Sequence, residues 1–353
     1  MRESLLQLII LQTLQISLLI LVAEVVHRLL GSRWPRFRYA MWLAILIKCL
    51  VPPVMVSPTG VFSWSQLSLA ETAAAPATGS LGWTETTSTA WADWMAPFAP
   101  VGFAIWMMGL LLLAASWTRA YVRFVRMTKD QFIDDTYHRM TAVLQSLATS
   151  MGMRRLPRLV LTEHDFGPAM IGLIRPTIVI PRRLVAELSE DQVRPLLAHE
   201  LVHVKRFDSL VGFLQMVTAA MWWFNPLVWL AIRRLTSTLE MRVDDRTVAE
   251  MEMCPKSYAS SLLSALELLC RPIPIPGSMG LITCRLTGSR IRNLLRPTKS
   301  LRTEKSSTLM VAALCLMILP GRGLSVPSDW LFKPIPCGQA SLDLQPVEAD
   351  VTP

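Results

Sequence analysis

Charge is scarce in this sequence. Only 17% of its 353 residues are Asp, Glu, Lys or Arg, against roughly 25% in typical soluble domains. That shortfall excludes a disordered chain, and 52% hydrophobic residues argue against an ordinary cytosolic globule. Cysteine is sparse too: Cys49, Cys254, Cys270, Cys284, Cys315 and Cys337 are scattered, with no C-x-x-C spacing. A disulfide framework or a cysteine-based zinc knuckle is therefore not expected. The segment from Ser57 to Pro97 has no Lys or Arg at all and carries Glu71, Glu85 and Asp93. No small-x-small cleavage site follows the first apolar run, so that run reads as a retained anchor.

The apolar residues lie in blocks, the signature of a membrane protein. Candidate spans are Leu5 to Val26, Tyr39 to Val56 and Phe98 to Trp117, followed by a charge-free stretch from Leu210 to Ile232 and a shorter one from Ser307 to Leu319. A run near twenty residues at ~1.5 Å each crosses a hydrocarbon core of ~30 Å. Arg28, Arg33, Arg36 and Arg38 separate the first two spans, and Arg119, Arg123, Arg126 and Lys129 follow the third. The positive-inside rule makes both basic loops cytoplasmic and the acidic segment external. The net charge of +9 then mainly records topology beside anionic lipid, and no direct nucleic-acid partner is expected. Lys48 falls inside the second span, where it either has a function or snorkels or pairs with Glu24. Pro52-Pro53 ends or kinks that helix near the outer face.

The chemistry-bearing motif is His199-Glu200-Leu201-Val202-His203. Residues four apart share a helix face, so both imidazoles can reach one metal, with Glu200 beside them as the base of a hydrolase. Ser189-Glu190-Asp191-Gln192 reads as a capping box. Pro195 removes a backbone hydrogen bond, which predicts that the helix proper opens just before Leu196. A third ligand is required, and Glu240 is the candidate. Asp244, one turn on, and Asp208, just past the motif, are candidates for orienting a ligand histidine, helix capping or exposure being the plainer reading of each. His27, His138 and His164 show no ligand spacing.

These ligands overrule the hydropathy of the fourth stretch. If Leu210 to Ile232 crossed the bilayer, Glu240 would lie roughly 30 Å from the histidines, which one metal cannot bridge. Asn225-Pro226 marks the break of a helical hairpin instead, buried in protein or dipping into the inner leaflet. Trp222, Trp223 and Trp229 suit either place. The resulting organisation has three transmembrane helices in residues 1–117 with an external loop at 57–97. A cytoplasmic peptidase domain at 118–306 includes the hairpin 209–235. A fourth span at 307–320 and a short external tail at 321–353 complete it.

Several segments resemble the BlaR/MecR-type membrane zinc metallopeptidases, the antirepressor peptidase family. They are the run from Gly172 to Pro181, His199 to His203 with Asp208, Trp223-Phe224-Asn225-Pro226, and Glu240 with Asp244. The resemblance implies a mainly α, multi-pass cell-membrane protein of about four transmembrane helices with an α+β gluzincin-like domain. It also implies His199, His203 and Glu240 as Zn2+ ligands and Glu200 as base, acting on a protein or peptide such as a transcriptional repressor. The sequence departs from the best-known members: no Ser-x-x-Lys occurs and the tail is too short for their penicillin-binding sensor domain, and Val243 stands where members often carry Cys.

Strands are expected at Leu159 to Leu161, Ala169 to Ile174 and Thr177 to Ile180, with a free strand edge able to hold substrate or simply covering the site helix. Ser289-Arg290-Ile291-Arg292 resembles an arginine motif of related membrane zinc peptidases. Arg290 is a candidate to stabilise an oxyanion or a ligand carboxylate, a surface or lipid-facing basic patch being the plainer reading. Three functions follow: a regulatory zinc endopeptidase, a non-catalytic signalling or scaffold protein, and a housekeeping protease of membrane-protein quality control.

Overall fold

Ten α-helices, one short 3-10 helix (Ala96–Phe98) and four short strands make up the described part of the chain, a mainly helical structure. The computed structural model describes residues 2–30, 34–51, 96–127, 133–269, 279–280 and 284–295. Helices α1 (Arg2–Leu30), α2 (Pro35–Leu50) and α3 (Ala99–Met127) precede α4 (Asp135–Ser150) and strands β1 (Arg158–Thr162), β2 (Ala169–Ile171) and β3 (Thr177–Pro181). Then come α5 (Arg182–Glu187), α6 (Glu190–Lys205), α7 (Asp208–Met221), α8 (Pro226–Glu250), α9 (Pro255–Leu268), β4 (Met279–Gly280) and α10 (Cys284–Leu294). Most of the expected external loop (residues 57–95), the fourth span and the tail lie outside the described residues.

Local signals place several boundaries. Asp134 caps α4 by accepting from the Tyr137 N–H at 2.9 Å, and Pro35, Pro226 and Pro255 open their helices where a missing N–H costs nothing. The capping box holds α6, with Gln192 Oε1 accepting from the Ser189 N–H at 3.1 Å. That anchor carries α6 straight through Pro195, so the helix starts at Glu190 instead of just before Leu196. One lost hydrogen bond early in a capped, buried helix is tolerated. Strand β2 ends at Ile171, short of the expected Ile174. Gly172 turns the chain at φ +95°, where a Cβ would meet the Arg175 carbonyl oxygen at 2.5 Å.

The sheet has the order β1-β3-β2-β4, with β1 and β3 parallel and the other pairs antiparallel. Its Leu159, Leu161, Ile178 and Ile180 join α4, α6, α9 and part of α8 in one core, around Leu144, Leu197, Leu201, Val243 and Leu262. A second core joins α1 and α2 to Trp222 and the first turns of α8, through Ile20, Trp42, Ile45, Val228, Ala231 and Leu235. Helix α8 belongs to both, its first half among the apolar N-terminal helices and its second half under the site.

Among the described residues, two helices are long and apolar enough to cross a membrane, by length and composition: Gln12–Leu29 within α1 and Pro100–Arg126 within α3. Helix α2 has 16 residues, about 24 Å at ~1.5 Å each, and residues 52–56 of the span expected at Tyr39 to Val56 lie outside the described residues. The charge-free stretch is not one helix. It breaks after Met221, and Asn225 Oδ1 caps α8 by accepting from the Leu227 N–H at 2.9 Å. The turn is bonded to all three N-terminal helices. Trp222 Nε1 donates to the Cys49 carbonyl at 3.0 Å, Asn225 Nδ2 to Ser17 Oγ at 3.1 Å, and Trp223 Nε1 to the Trp106 carbonyl at 3.3 Å. Glu24 is not paired with Lys48, as one expectation had it. Arg234 of α8 and Arg28 hold it, the shorter reach to a guanidinium on a packed neighbour winning over a lysine several turns away.

Candidate metal centre

Two antiparallel pairs of residues, each four apart, build the site. His199 and His203 project from α6, and Glu240 and Asp244 from α8, all buried. One ligand atom from each of His199, His203 and Glu240 lies within 4.8 Å of the other two. The imidazole Nε2 atoms stand 3.2 Å apart, with Glu240 Oε2 3.4 Å from His199 Nε2 and Oε1 3.7 Å from His203 Nε2.

The far side of each imidazole is anchored. His203 Nδ1 faces Asp208 Oδ2 at 3.0 Å. His199 Nδ1 faces the Tyr258 hydroxyl at 2.8 Å, and that hydroxyl donates to Asp244 Oδ1 at 2.8 Å. Acceptors at both Nδ1 atoms favour a proton there and turn both Nε2 lone pairs toward the shared point. Asp208 follows Phe207, whose φ of 57° is left-handed, and this sharp bend sets the carboxylate under His203. Asp208 and Asp244 are thus buried partners of the histidines, not exposed caps.

Arg290 lies on α10 and is 1% exposed. It is no surface or lipid-facing group. Its Nε donates to Asp244 Oδ2 at 2.8 Å and Nη2 to Oδ1 at 2.5 Å, while Nη1 lies 3.3 Å from Glu240 Oε2. Two carboxylates buried side by side on α8 require a cation, and α10 supplies it. Of the roles raised for Arg290, contact with a carboxylate is the one its geometry matches.

Electrostatics follow from this packing. Burial pushes Asp244 up, but Arg290 overcomes it and holds the carboxyl well below its usual range. Glu240 is also held low, burial being outweighed by Arg290 and the imidazoles. For His199, burial and Arg290 oppose a proton, yet Asp244 and Glu240 prevail and lift it to about 9. Burial raises the Tyr258 phenol far up, with Asp244 adding to it, so the hydroxyl keeps its proton to donate. Among the described residues Glu200 has no stabilising hydrogen bond: both its carboxyl oxygens are buried without a partner there, and burial lifts it to about 7.

The donor set fits a zinc ion. Two imidazole nitrogens and a carboxylate make a three-ligand site of the kind that leaves a fourth position open. Glu240 Oε2 is buried and receives no hydrogen bond among the described residues, its neighbours being the Arg290 guanidinium at 3.3 Å and His199 Nε2 at 3.4 Å, so it has a lone pair left for a cation at the shared point. His138 and His164 are exposed, and His27 accepts from Trp42 Nε1 at 2.9 Å inside the second core, so none of the three joins the cluster. Tyr258 was not foreseen. No spacing signals a phenol on a separate helix, and only packing brings it to His199. The edge of β2 that faces away from β3 is paired with β4 through Ala169 and Met170, so that edge is covered over those two residues.

The profile of a peptidase family described as BlaR1 peptidase M56 matches residues 3–284. The chain is similar to the Regulatory protein BlaR1 of Bacillus licheniformis, 24% identical over 142 residues, covering 40% of this chain and 23% of that protein. It is also similar to the Methicillin resistance mecR1 protein of Staphylococcus aureus, 24% identical over 148 residues, covering 42% of this chain and 25% of that protein. The matched stretch spans about a quarter of the length of either relative.

Proposed function

The chain belongs to the BlaR1 peptidase M56 family, and from that membership we infer a membrane-bound zinc endopeptidase that cuts a cytoplasmic or membrane-proximal protein in regulatory signalling. One observation carries the reading. His199, His203 and Glu240 converge within 4.8 Å, and the fully buried Glu200, in the same motif, has both oxygens unpartnered. A structural core would not leave a carboxyl in that state, since an unsatisfied buried acid costs stability.

In this reading His199 Nε2, His203 Nε2 and a Glu240 oxygen hold the ion, Asp208 orients His203, and Tyr258 with Asp244 orients His199. Zinc, when bound, supplies a Lewis acid that polarises the peptide carbonyl and makes water more acidic. Glu200 takes a proton from the attacking water as the new C–O bond forms, then delivers it to the amine nitrogen as the C–N bond breaks. A carboxyl lifted to about 7 can hold and release a proton near neutrality. Arg290 keeps Asp244 and Glu240 ionised and fixed.

We further propose that α1, α2 and α3 cross the cell membrane with the peptidase domain cytoplasmic, and that residues 209–235 form a re-entrant hairpin. The hydrogen bonds of its turn to Ser17, Cys49 and the Trp106 carbonyl support this, each partner lying within an apolar helix. The fourth span expected at 307–320 lies outside the described residues. The name of the Bacillus relative includes the word regulatory, and a transcriptional repressor is the substrate class that the resemblance implies.

The test is Glu200→Gln in purified full-length protein. Zinc stays bound while peptide cleavage drops by about 10²–10⁴-fold, the usual worth of a general base. Cleavage at the wild-type rate would sink the mechanism. The same variant traps substrate: a captured repressor fits signalling, and an assortment of misfolded membrane proteins would replace that assignment with quality control.

A further inference from the structure

Helix α2 reaches two arginines beside the metal centre through Tyr39. Tyr39, half-buried near its start, has the Arg242 guanidinium 4.5 Å and the Arg206 guanidinium 5.8 Å from its ring centroid. Each arginine sits on a segment that carries part of the centre. Arg206 ends α6 three residues after His203, and its Nε bonds Asp208 at 3.2–3.3 Å. Asp208 in turn holds His203 Nδ1 at 3.0 Å. Arg242 stands two residues past Glu240 on α8.

We propose that Tyr39 is a positioning residue: its ring gathers Arg206 and Arg242 and so couples α2, one of the apolar N-terminal helices, to the ligands of the metal centre. Two like charges brought to one place repel, and Arg36 adds a third cation acting on Arg242. The negative face of an aromatic ring offsets that repulsion, with Asp208 completing the compensation. Without the ring, Arg206 and Arg242 separate, Arg206 leaves Asp208, and the carboxylate that orients His203 loses its own anchor. Displacing α2 relative to α8 has the same effect, which gives the membrane helices a physical route to the site. The inference rests on the zinc reading of His199, His203 and Glu240.

The experiment measures zinc release into a chelator from full-length protein in lipid nanodiscs. Tyr39→Leu is expected to release zinc roughly tenfold faster, the scale of an orienting shell around metal ligands. Tyr39→Phe keeps the ring over Arg242 but gives up the contact of the hydroxyl with Arg206, and releases zinc at a rate between those of wild type and Tyr39→Leu. Phe37→Leu, in the apolar core of the same helix, lowers the melting temperature and leaves the release rate unchanged. Wild-type release from Tyr39→Leu, or equal acceleration in Phe37→Leu, overturns the proposal. If wild type and His199→Ala hold zinc equally, the metal site itself is wrong, a failure visible before any Tyr39 variant is compared.

Discussion

Replacing Arg290 by Leu removes the only guanidinium within hydrogen-bond reach of Asp244 among the described residues, leaving the His199 imidazole at 3.2 Å as its remaining partner of positive charge. Both oxygens of that carboxylate receive guanidinium donors, and Glu240 Oε2 lies 3.3 Å from the same group. All three side chains are almost fully buried. Breaking a buried pair by deleting one partner costs about 3–5 kcal/mol, because the other charge stays behind without compensation. For a unit of this size each kcal/mol is worth about 2–4 °C, so metal-free Arg290→Leu should melt roughly 6–20 °C below wild type. Thermal unfolding of chelator-treated protein in detergent provides the assay. Adding Asp244→Asn removes the stranded charge, so the double variant should be less destabilised than the sum of the singles by about 1–3 kcal/mol. A melting shift under about 2 °C, or strictly additive effects, would refute the placement of Arg290 in this network.

Tyr258→Phe deletes the hydroxyl between His199 and Asp244. Zinc affinity should fall about tenfold in a competition titration, and unchanged affinity would remove Tyr258 from the site. The metal-free protein should lose stability as pH rises. Its Glu200 sits at about 7 against 4.5, and its His199 at about 9 against 6.5, so the fold binds more protons than the unfolded chain in both cases. Stability contributed by Glu200 is lost between about pH 4.5 and 7, and that from His199 as pH passes from about 6.5 to 9. Melting temperature should therefore decline from pH 5 to 9, Glu200→Gln flattening the acid half; a rising profile contradicts these environments.

The legible parts of the molecule were those written in short range. The four-residue spacing of His199 and His203 needs only one helix, and the same holds for Glu240 and Asp244. The break at Asn225 follows from proline chemistry, and the expected strands differ from the observed ones chiefly where Gly172 turns the chain. Illegible parts depended on contacts between distant segments. Arg290 was a candidate only through the resemblance of Ser289-Arg290-Ile291-Arg292 to an arginine motif, with a basic surface patch as the plainer reading, because its spacing does not reveal that α10 closes over two buried carboxylates. Tyr258 and Tyr39 gave no signal for the same reason. Pro195 misled because local propensity ignores how firmly a capped first turn and a buried face hold a helix. Glu24 was matched by sequence with Lys48, whereas the docking of α8 on α1 brings Arg234 to it.

X-ray absorption at the zinc edge tests the central claim most directly, comparing purified wild type with Glu240→Ala. The account predicts one zinc per chain in wild type, with imidazole nitrogens and oxygen donors at about 2.0–2.2 Å, and a zinc content at least tenfold lower in Glu240→Ala. Sulfur donors near 2.3 Å, or an unchanged spectrum and zinc content in Glu240→Ala, would contradict it.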